Sequence, residues 1–323
     1  MRLGVLDVGS NTVHLLVVDA RVGGAPAPAA SHKRELRLAE HLTSDGAMSR
    51  VGADALVEMV SECRQIAEDT GCADLLPFVT SALREASNCD EVLQRCVDRT
   101  GVQLRVLTGV DEARATFLAA RRWFGWSAGS LAVFDIGGGS LEMAASRDEE
   151  PEVALSVPVG AGRMARRFGA SEVKKVRKHA RAEIGAHVGE LLRHRPFDLA
   201  AGTSKTFRTL GQLTGAAPAE EGLFLRRTLA RRDLDQVISG LAGMEPSERA
   251  KLSGVSRGRA DQILAGAIVA DAVMDLAGVD ELRICPWALR EGLILNYLDH
   301  LEYFETAGAE PRSPRSPFGT ARD

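Results

Sequence analysis

Several things are scarce in this sequence. Its five cysteines, Cys63, Cys72, Cys89, Cys96 and Cys285, form no CxxC pair and do not cluster with histidine. An odd count at scattered spacing argues against a disulfide framework or a zinc site and suits reduced, mostly buried thiols in a cytoplasmic protein. Nothing places a base beside any of them, so a nucleophilic cysteine is not indicated. No apolar run approaches the roughly 18 residues of a membrane span. The N-terminus runs directly into a strand pattern, which argues against a signal peptide. Basic charge is not in excess either, with 40 Lys and Arg against 44 Asp and Glu and a net charge of −4. A general nucleic-acid binder is strongly basic, so neither nucleic acid nor membrane is an expected partner. A GxxxxGK[ST] phosphate loop is absent. The GxG at 137–139 lacks a third glycine and leads into a strand-like segment, which excludes a dinucleotide fingerprint.

What remains is a chain of 323 residues, 45% apolar and 26% charged, long enough for two domains with real cores. It begins as strand, turn, strand: "LGVLD", "VGSN", "TVHLLVVDA". The segment "GGAPAPAAS" reads as a hairpin loop, and "HKRELRLAE" resumes ordered patterning. In "GADALVEMVSECRQIAED", Leu56, Met59, Val60, Cys63, Ile66 and Ala67 recur at helical spacing. "LLPFVTSALREA" reads as a strand running into a helix, "QLRVLTG" as a strand, and "DEARATFLAARRWF" as a helix. Strands alternating with helices imply an α/β fold. Further on, "PFDLAAGTSKTFRTLGQ" is a strand, loop and helix, and the chain is then mostly helical through "QILAGAIVADAVMDLAG". A short strand and a helix close the pattern in "ELRICPWALREGLILNYLDHL". The end, "GAEPRSPRSPFGTARD", has no apolar period and is expected to be a disordered tail over 307–323.

Near the middle, "LAVFDIGGGS" repeats the plan of "LGVLDVGSN": an apolar strand, an Asp, a tight glycine turn and another strand. The echo predicts two related domains, over 1–126 and 127–300, with a helix near 290–305 able to pack back on the first. Glycine lets a ligand approach the backbone closely, and successive N–H groups in such a turn make an anion site. Gly9, Ser10, Asn11 and Thr12, and again Gly137, Gly138, Gly139 and Ser140, can therefore cradle phosphate. Each turn alone is equally a plain hairpin. Together they carry Asp7 and Asp135 at the ends of the preceding strands, which a hairpin does not require. If both turns face one cleft, the two acids repel polyphosphate unless a hard cation lies between them, and Mg²⁺ is the expected one. Glu142 can add a third carboxylate; the alternative is a surface glutamate on a hairpin.

The ordered set "DVGSN", "SALREA", "GVDEAR", "DIGGGSLE", "GTSKTF" and "ALREGL" resembles the exopolyphosphatase / guanosine-pentaphosphate phosphohydrolase family of the actin, hexokinase and heat-shock-chaperone superfamily. The likeness covers roughly residues 1–300 and is nearest to the short, two-domain actinobacterial type. It implies an α/β fold of two ribonuclease-H-like (actin-like ATPase) domains with an interdomain cleft. It also implies a cytoplasmic hydrolase, dependent on Mg²⁺ (or Mn²⁺), that removes the terminal phosphate of inorganic polyphosphate or the 5′ phosphate of guanosine pentaphosphate. By the same likeness Glu112, the second acid of the family's "EEAR" motif, is the general base. Asp135 and Glu142 are metal-associated acids, and Arg84 contacts phosphate. The first acid of "EEAR" is Asp111 here, a departure that leaves the base in place.

Local physics agrees with that assignment. Thr108 to Asp111 has the spacing of a capping box, so Asp111 is occupied at a helix start while Glu112 points elsewhere, favoured as an anion by the helix dipole. Gly202, Thr203, Ser204 and Lys205 fall at another helix start, where a lysine opposes the dipole unless an anion is near. His14 reads as a core residue or a support behind the site. The basic stretches 163–168 and 174–181 are either solvated helix faces or a means of steering a polyanion. Two rival functions remain open at this point: an ATP-dependent kinase of the same superfamily, and a non-catalytic polyphosphate or alarmone sensor. A homodimer is compatible with the sequence but not required by it.

Overall fold

The computed structural model describes residues 1–306, with side chains as far as Leu301; the expected tail, 307–323, lies outside the described residues. Contacts divide the chain into two units. The first opens with β1 (Arg2–Val8), β2 (Thr12–Asp19) and β3 (Ala27–Glu35), followed by helix α1 (Arg50–Asp69). Then come β4 (Asp74–Val79), the single turn α2 (Ser81–Arg84), α3 (Cys89–Thr100) and β5 (Arg105–Val106). Its sheet has the order β3-β2-β1-β4-β5, antiparallel among the first three strands and parallel from β1 onward.

The second unit runs through α4 (Gly109–Phe124), β6 (Leu131–Ile136), β7 (Leu141–Ser146), β8 (Val153–Val157), α5 (Ala161–Phe168) and α6 (Val173–Leu192). It continues with β9 (Leu199–Gly202), α7 (Ser204–Leu213), β10 (Thr228–Ala230), α8 (Leu234–Ala242), α9 (Pro246–Arg249), α10 (Ile263–Ala277) and β11 (Glu281–Ile284). The order here is β10-β11-β9-β6-β7-β8. Three antiparallel strands are again followed by two parallel ones, with β10 added antiparallel at the far edge, so the sequence echo is an echo of topology up to that edge. The last helix, α11 (Leu289–Thr306), groups with the first unit.

The local causes are ordinary. Strand β1 is a nearly continuous apolar run whose Leu3, Val5, Leu6 and Val8 are buried, as a strand covered on both faces requires. Helix α1 starts where the Ser49 hydroxyl accepts from the Gly52 N–H at 3.3 Å, and it buries Leu56, Met59, Val60, Cys63 and Ala67 along one stripe. Helix α10 is buried almost all round and forms the centre of the second unit's core. None of the five cysteines is in a disulfide. Burial pushes the Cys63 thiol up to about 12 and the Cys96 thiol up to about 11, so neither is a nucleophile at neutral pH. Among the described residues no helix is long and apolar enough to cross a membrane.

Three local features depart from the sequence pattern. Of the segment 23–31 expected to be loop, the part from Ala27 already belongs to β3, because β3 is an edge strand and Pro28 sits where the register shifts opposite Val17 and Val18. Helix α3 buries only Val92, Cys96 and Thr100, a stripe too sparse to announce itself. The division of the chain also falls at Leu107/Thr108, whereas the sequence pattern suggested 126/127. The reason is that Ala113, Phe117 and Ala120 of α4 pack on Leu131, Val133, Ala144 and Ala201 of the second sheet.

Phe117→Ala therefore tests that division. The variant should lose about 3–5 kcal/mol, and hydrogen exchange should accelerate in β6, β7 and β9 while β1–β3 keep their protection. Equal acceleration in both sheets would assign α4 to neither unit.

Candidate active site

In the second unit, four side chains form one row across the sheet. Asp135 on β6 lies directly opposite Glu142 on β7, and Glu142 lies opposite Ser156 on β8. Directly opposed residues share a face of the sheet. On the other side, β9 runs beside β6 and is followed by Thr203, whose N–H donates to the Phe134 carbonyl at 2.9 Å and whose hydroxyl donates to the Asp135 carboxylate. The Ser156 hydroxyl donates to Glu142 Oε1 at 2.9 Å, and the Ser140 hydroxyl is a second donor to the same carboxylate. Two acids are thus bracketed by hydroxyl donors.

Helix α4 packs across β6, β7 and β8 and brings Glu112 to this row from its first turn. Its start is fixed by Thr108, whose hydroxyl accepts from the Asp111 N–H at 3.1 Å and donates to the Asp111 carboxylate at 2.6 Å. Asp111 is spent at the cap, as the spacing predicts, and Glu112 is buried at 8% exposure. Glu142, at 5% exposure, is no surface glutamate. Burial pushes its carboxyl well above the usual range, the charges of Glu112 and Asp135 push it further, and the two serine hydroxyls oppose the shift.

The glycine bend lies beside this row. Its carbonyls face helix α5: Ala161 N–H donates to Gly137 O at 3.0 Å, Arg163 N–H to Gly138 O at 2.8 Å, and Arg163 Nε to Gly139 O at 2.7 Å. Among the described residues, the N–H groups of Gly138, Gly139 and Ser140 have no backbone carbonyl partner. That is the arrangement of an anion cradle: carbonyls tied back, amides left to a ligand. Glycine is required at 160, where a Cβ would stand 2.4 Å from Gly139 C and Ser140 N. A Cβ at Gly138 would meet Ser10 Cβ at 3.2 Å, because residues Gly9–Asn11 group with the second unit and lie against the bend. The Asn11 amide donates to Gln262 Oε1 at 3.0 Å. Past Thr203, Ser204 adopts a left-handed backbone with φ 60°, and its buried Oγ has no hydrogen-bond partner. Lys205 is half-buried in the first turn of α7.

The first unit presents its own acid. Asp7 is next to last in β1, opposite His14 on β2 and two residues ahead of Gly9; Thr12 opens β2. Burial raises the Asp7 carboxyl above its ordinary value, Arg290 opposes that, and Glu291 adds to it. Arg290 also bonds His14 Nδ1, while His14 Nε2 bonds Ser31 Oγ at 2.8 Å. Arg84 closes α2 and donates to the Leu107 carbonyl at 2.6 Å. Sequence reasoning assigned no role to Ser156, Arg290 or Glu291. "ALREGL" did flag the last two, and Ser156 carried no signal.

The hard oxygen donors Asp135 and Glu142 suit a divalent cation. Among the described residues no group of three or more His, Cys, Asp or Glu is arranged to hold one, so an ion here would complete its shell with water and substrate oxygens, as Mg²⁺ prefers.

Comparison with known proteins gives a consistent picture. The profile of the Ppx/GppA phosphatase family matches residues 17–301. Exopolyphosphatase 1 of Mycobacterium tuberculosis is 52% identical over 305 residues, covering 93% of this chain and 89% of that protein. Its namesake in Mycobacterium leprae is 53% identical over 306 residues, covering 93% and 90%. Among solved structures, an exopolyphosphatase from Cytophaga hutchinsonii superposes with a TM-score of 0.81 at 23% identity, covering 93% of this chain and 98% of that one. The Aquifex aeolicus member of the Ppx/GppA family gives 0.77 at 22% identity, with coverage of 93% and 98%. These superpositions establish the fold: α/β, with two actin-like domains.

A raised carboxyl pKa has a definite sign in stability. Between the ordinary glutamate range and Glu142's raised value, the folded chain keeps a proton the unfolded chain has released, so stability falls as pH rises through that window. In metal-free buffer Glu142→Gln should melt ~2 °C or more above the parent at neutral pH. The gap should close towards about pH 4.5, where both states hold the proton. A gap of constant size across that range would place the cost elsewhere.

Proposed function

Because the chain belongs to the Ppx/GppA phosphatase family and carries the buried acid row beside a glycine bend, we propose that it is an exopolyphosphatase, a phosphoanhydride hydrolase that removes the terminal phosphate of inorganic polyphosphate. Guanosine pentaphosphate ends in the same kind of bond and is the second substrate of this reading. The observation that carries it is the crowding of Glu142 by Glu112 and Asp135 away from water, next to backbone amides without carbonyl partners. Three carboxyl groups gathered in so small a buried space are unfavourable in a static core and make sense where a cation and an anion bind together.

In the proposed reaction Glu112 acts as general base. It takes a proton from water as the water oxygen attacks the terminal phosphorus in line. The bond from that phosphorus to the bridging oxygen breaks, its electron pair leaves with the shortened chain, and orthophosphate is released. The bend Gly137–Ser140 offers amides to the phosphate oxygens. Residues Gly9–Thr12, Gly202, Ser204, Lys205 and Arg84 are assigned to the same task on their motifs. Ser204 has the stronger support of an unpartnered hydroxyl. Asp135 and Glu142 are the residues to hold Mg²⁺ or Mn²⁺, with Asp7 as the third candidate by the echo of its motif. The ion would neutralise charge on the phosphate oxygens. Thr203 and Ser156 act one step back: each hydroxyl orients one acid and favours its ionised form.

Glu112→Gln keeps size and hydrogen bonding but removes the base. Phosphate release from polyphosphate should fall at least 100-fold while the melting curve and polyphosphate binding persist. A panel of short and long polyphosphate, guanosine pentaphosphate, ATP and ADP with Mg²⁺ identifies the substrate. Release from none of them by the parent protein would remove the hydrolase reading, and near-parental turnover by Glu112→Gln would remove the base.

A further inference from the structure

Between α7 and β10 the second unit carries a loop that reads "EEGLFLRR", Glu220 to Arg227. At its tip Leu223, Phe224 and Leu225 are 50%, 85% and 46% exposed. Single apolar residues at a surface need no explanation, but three in a row at one turn are a liability unless something covers them.

The loop is built to hold that tip in place. Arg227 stands at its base and donates to four carbonyls: Nε to Ala217 O at 2.7 Å, Nη1 to Leu225 O at 3.1 Å, and Nη2 to Pro218 O at 2.6 Å and Gly222 O at 2.9 Å. The Phe224 ring lies flat on Trp123, with centroids 5.4 Å apart and planes 10° from parallel. Trp123 in turn meets Trp287 edge-on at 5.3 Å, and both tryptophans pack on the cluster formed by α4 and the second sheet. One face of Phe224 is therefore seated on the body of the unit while the other is bare. A tip already ordered in the free chain loses little further freedom when a partner covers it.

The flanking charges say which partner fits. Glu220 and Glu221 precede the tip, are exposed, and make no ion pair among the described residues. Arg226 and Arg227 follow it. Arg226 pairs with the exposed Glu281 at 3.7 Å, an interaction worth little in water, and Arg227 is bonded to neutral carbonyls, so this arm stays positive. The tip is thus acidic on one side of Phe224 and basic on the other. Two such tips related by a two-fold axis with their arms antiparallel set each acidic arm against a basic one; with the arms parallel, like charges meet. An anionic lipid surface fits less well, because the two glutamates stand on the same tip as the leucines.

We propose that residues 220–227 are the contact of a homodimer, in which two copies of this chain meet tip to tip across a two-fold axis, with Phe224 at the axis and the acidic arm of each copy on the basic arm of the other. One loop buries less than the about 800 Å² per partner of a standard interface, so the dimer is a weak one, with a dissociation constant on the order of 10 µM.

Sedimentation velocity of the full chain from about 1 µM to about 300 µM should show a monomer–dimer equilibrium. Phe224→Ser should weaken it about tenfold or more. The double variant Glu220→Lys, Glu221→Lys and the single variant Arg226→Glu should each weaken self-association about tenfold, and an equimolar mixture of the two should regain the parental dimer, since both contacts are then between opposite charges. Arg227 is left alone because it holds the loop. The variants should melt within about 2 °C of the parent, their side chains being exposed; where one melts earlier the mixture decides, because misfolded chains do not restore one another. A parent that stays monomeric throughout, a dimer indifferent to Phe224→Ser, or charge variants that the mixture does not restore each overturns the contact. A monomeric parent that cosediments with vesicles containing anionic lipid makes a membrane the occupant instead.

Discussion

The second unit is organised around a charge problem. Glu142 is almost fully buried, faces Asp135 across a strand pair and feels Glu112 from the helix above, and neutral hydroxyls are its hydrogen-bond donors. An isolated buried carboxylate is expensive and ordinarily resolves itself by taking up a proton or finding a cationic partner. Here the neighbouring architecture preserves the crowding. The β6–β7 register fixes the two acids opposite each other, Thr108 commits Asp111 to the cap so that Glu112 occupies the inner position, and the glycine bend turns amides rather than carbonyls outward. On the function proposed above, each device gives up local stability or side-chain freedom to keep a place suited to a cation and a phosphate.

Duplication of one plan explains why the sequence could be read so far. Both sheets follow the order of three antiparallel strands and then two parallel neighbours, the second adding antiparallel β10, and in both an acid stands next to last in the first strand before a tight bend. The signals for that plan are local: an apolar run, one Asp, then glycine or serine. Asp7, Asp135 and the bends were legible for that reason. The capping by Asp111 was legible because that spacing is also local, whereas the role expected of Glu112 came only from the family resemblance.

What escaped the sequence depends on contacts between distant segments. Ser156 supports Glu142 only through the β7–β8 register, and nothing about an isolated serine in a strand signals this. Thr203 was expected to bind phosphate with its neighbours, but its hydroxyl reaches Asp135 because β9, remote in sequence, inserts beside β6. Arg290 meets His14 across 276 positions because α11 packs against β1 of the first unit. The placement of α4 has the same origin. Its apolar stripe declares a helix but not which sheet it covers, and Phe117 settles that by packing on the second.

Ser204 sets a limit on attempts to make this protein more heat-resistant. A serine held at φ 60° is strained by on the order of 1–3 kcal/mol, and glycine would relax it, so any search scored on folding alone will favour that exchange. The same exchange deletes the one buried hydroxyl in the loop that lacks an internal partner. Under the role proposed for Ser204 in phosphate binding, thermal robustness and ligand capture favour opposite residues at this position.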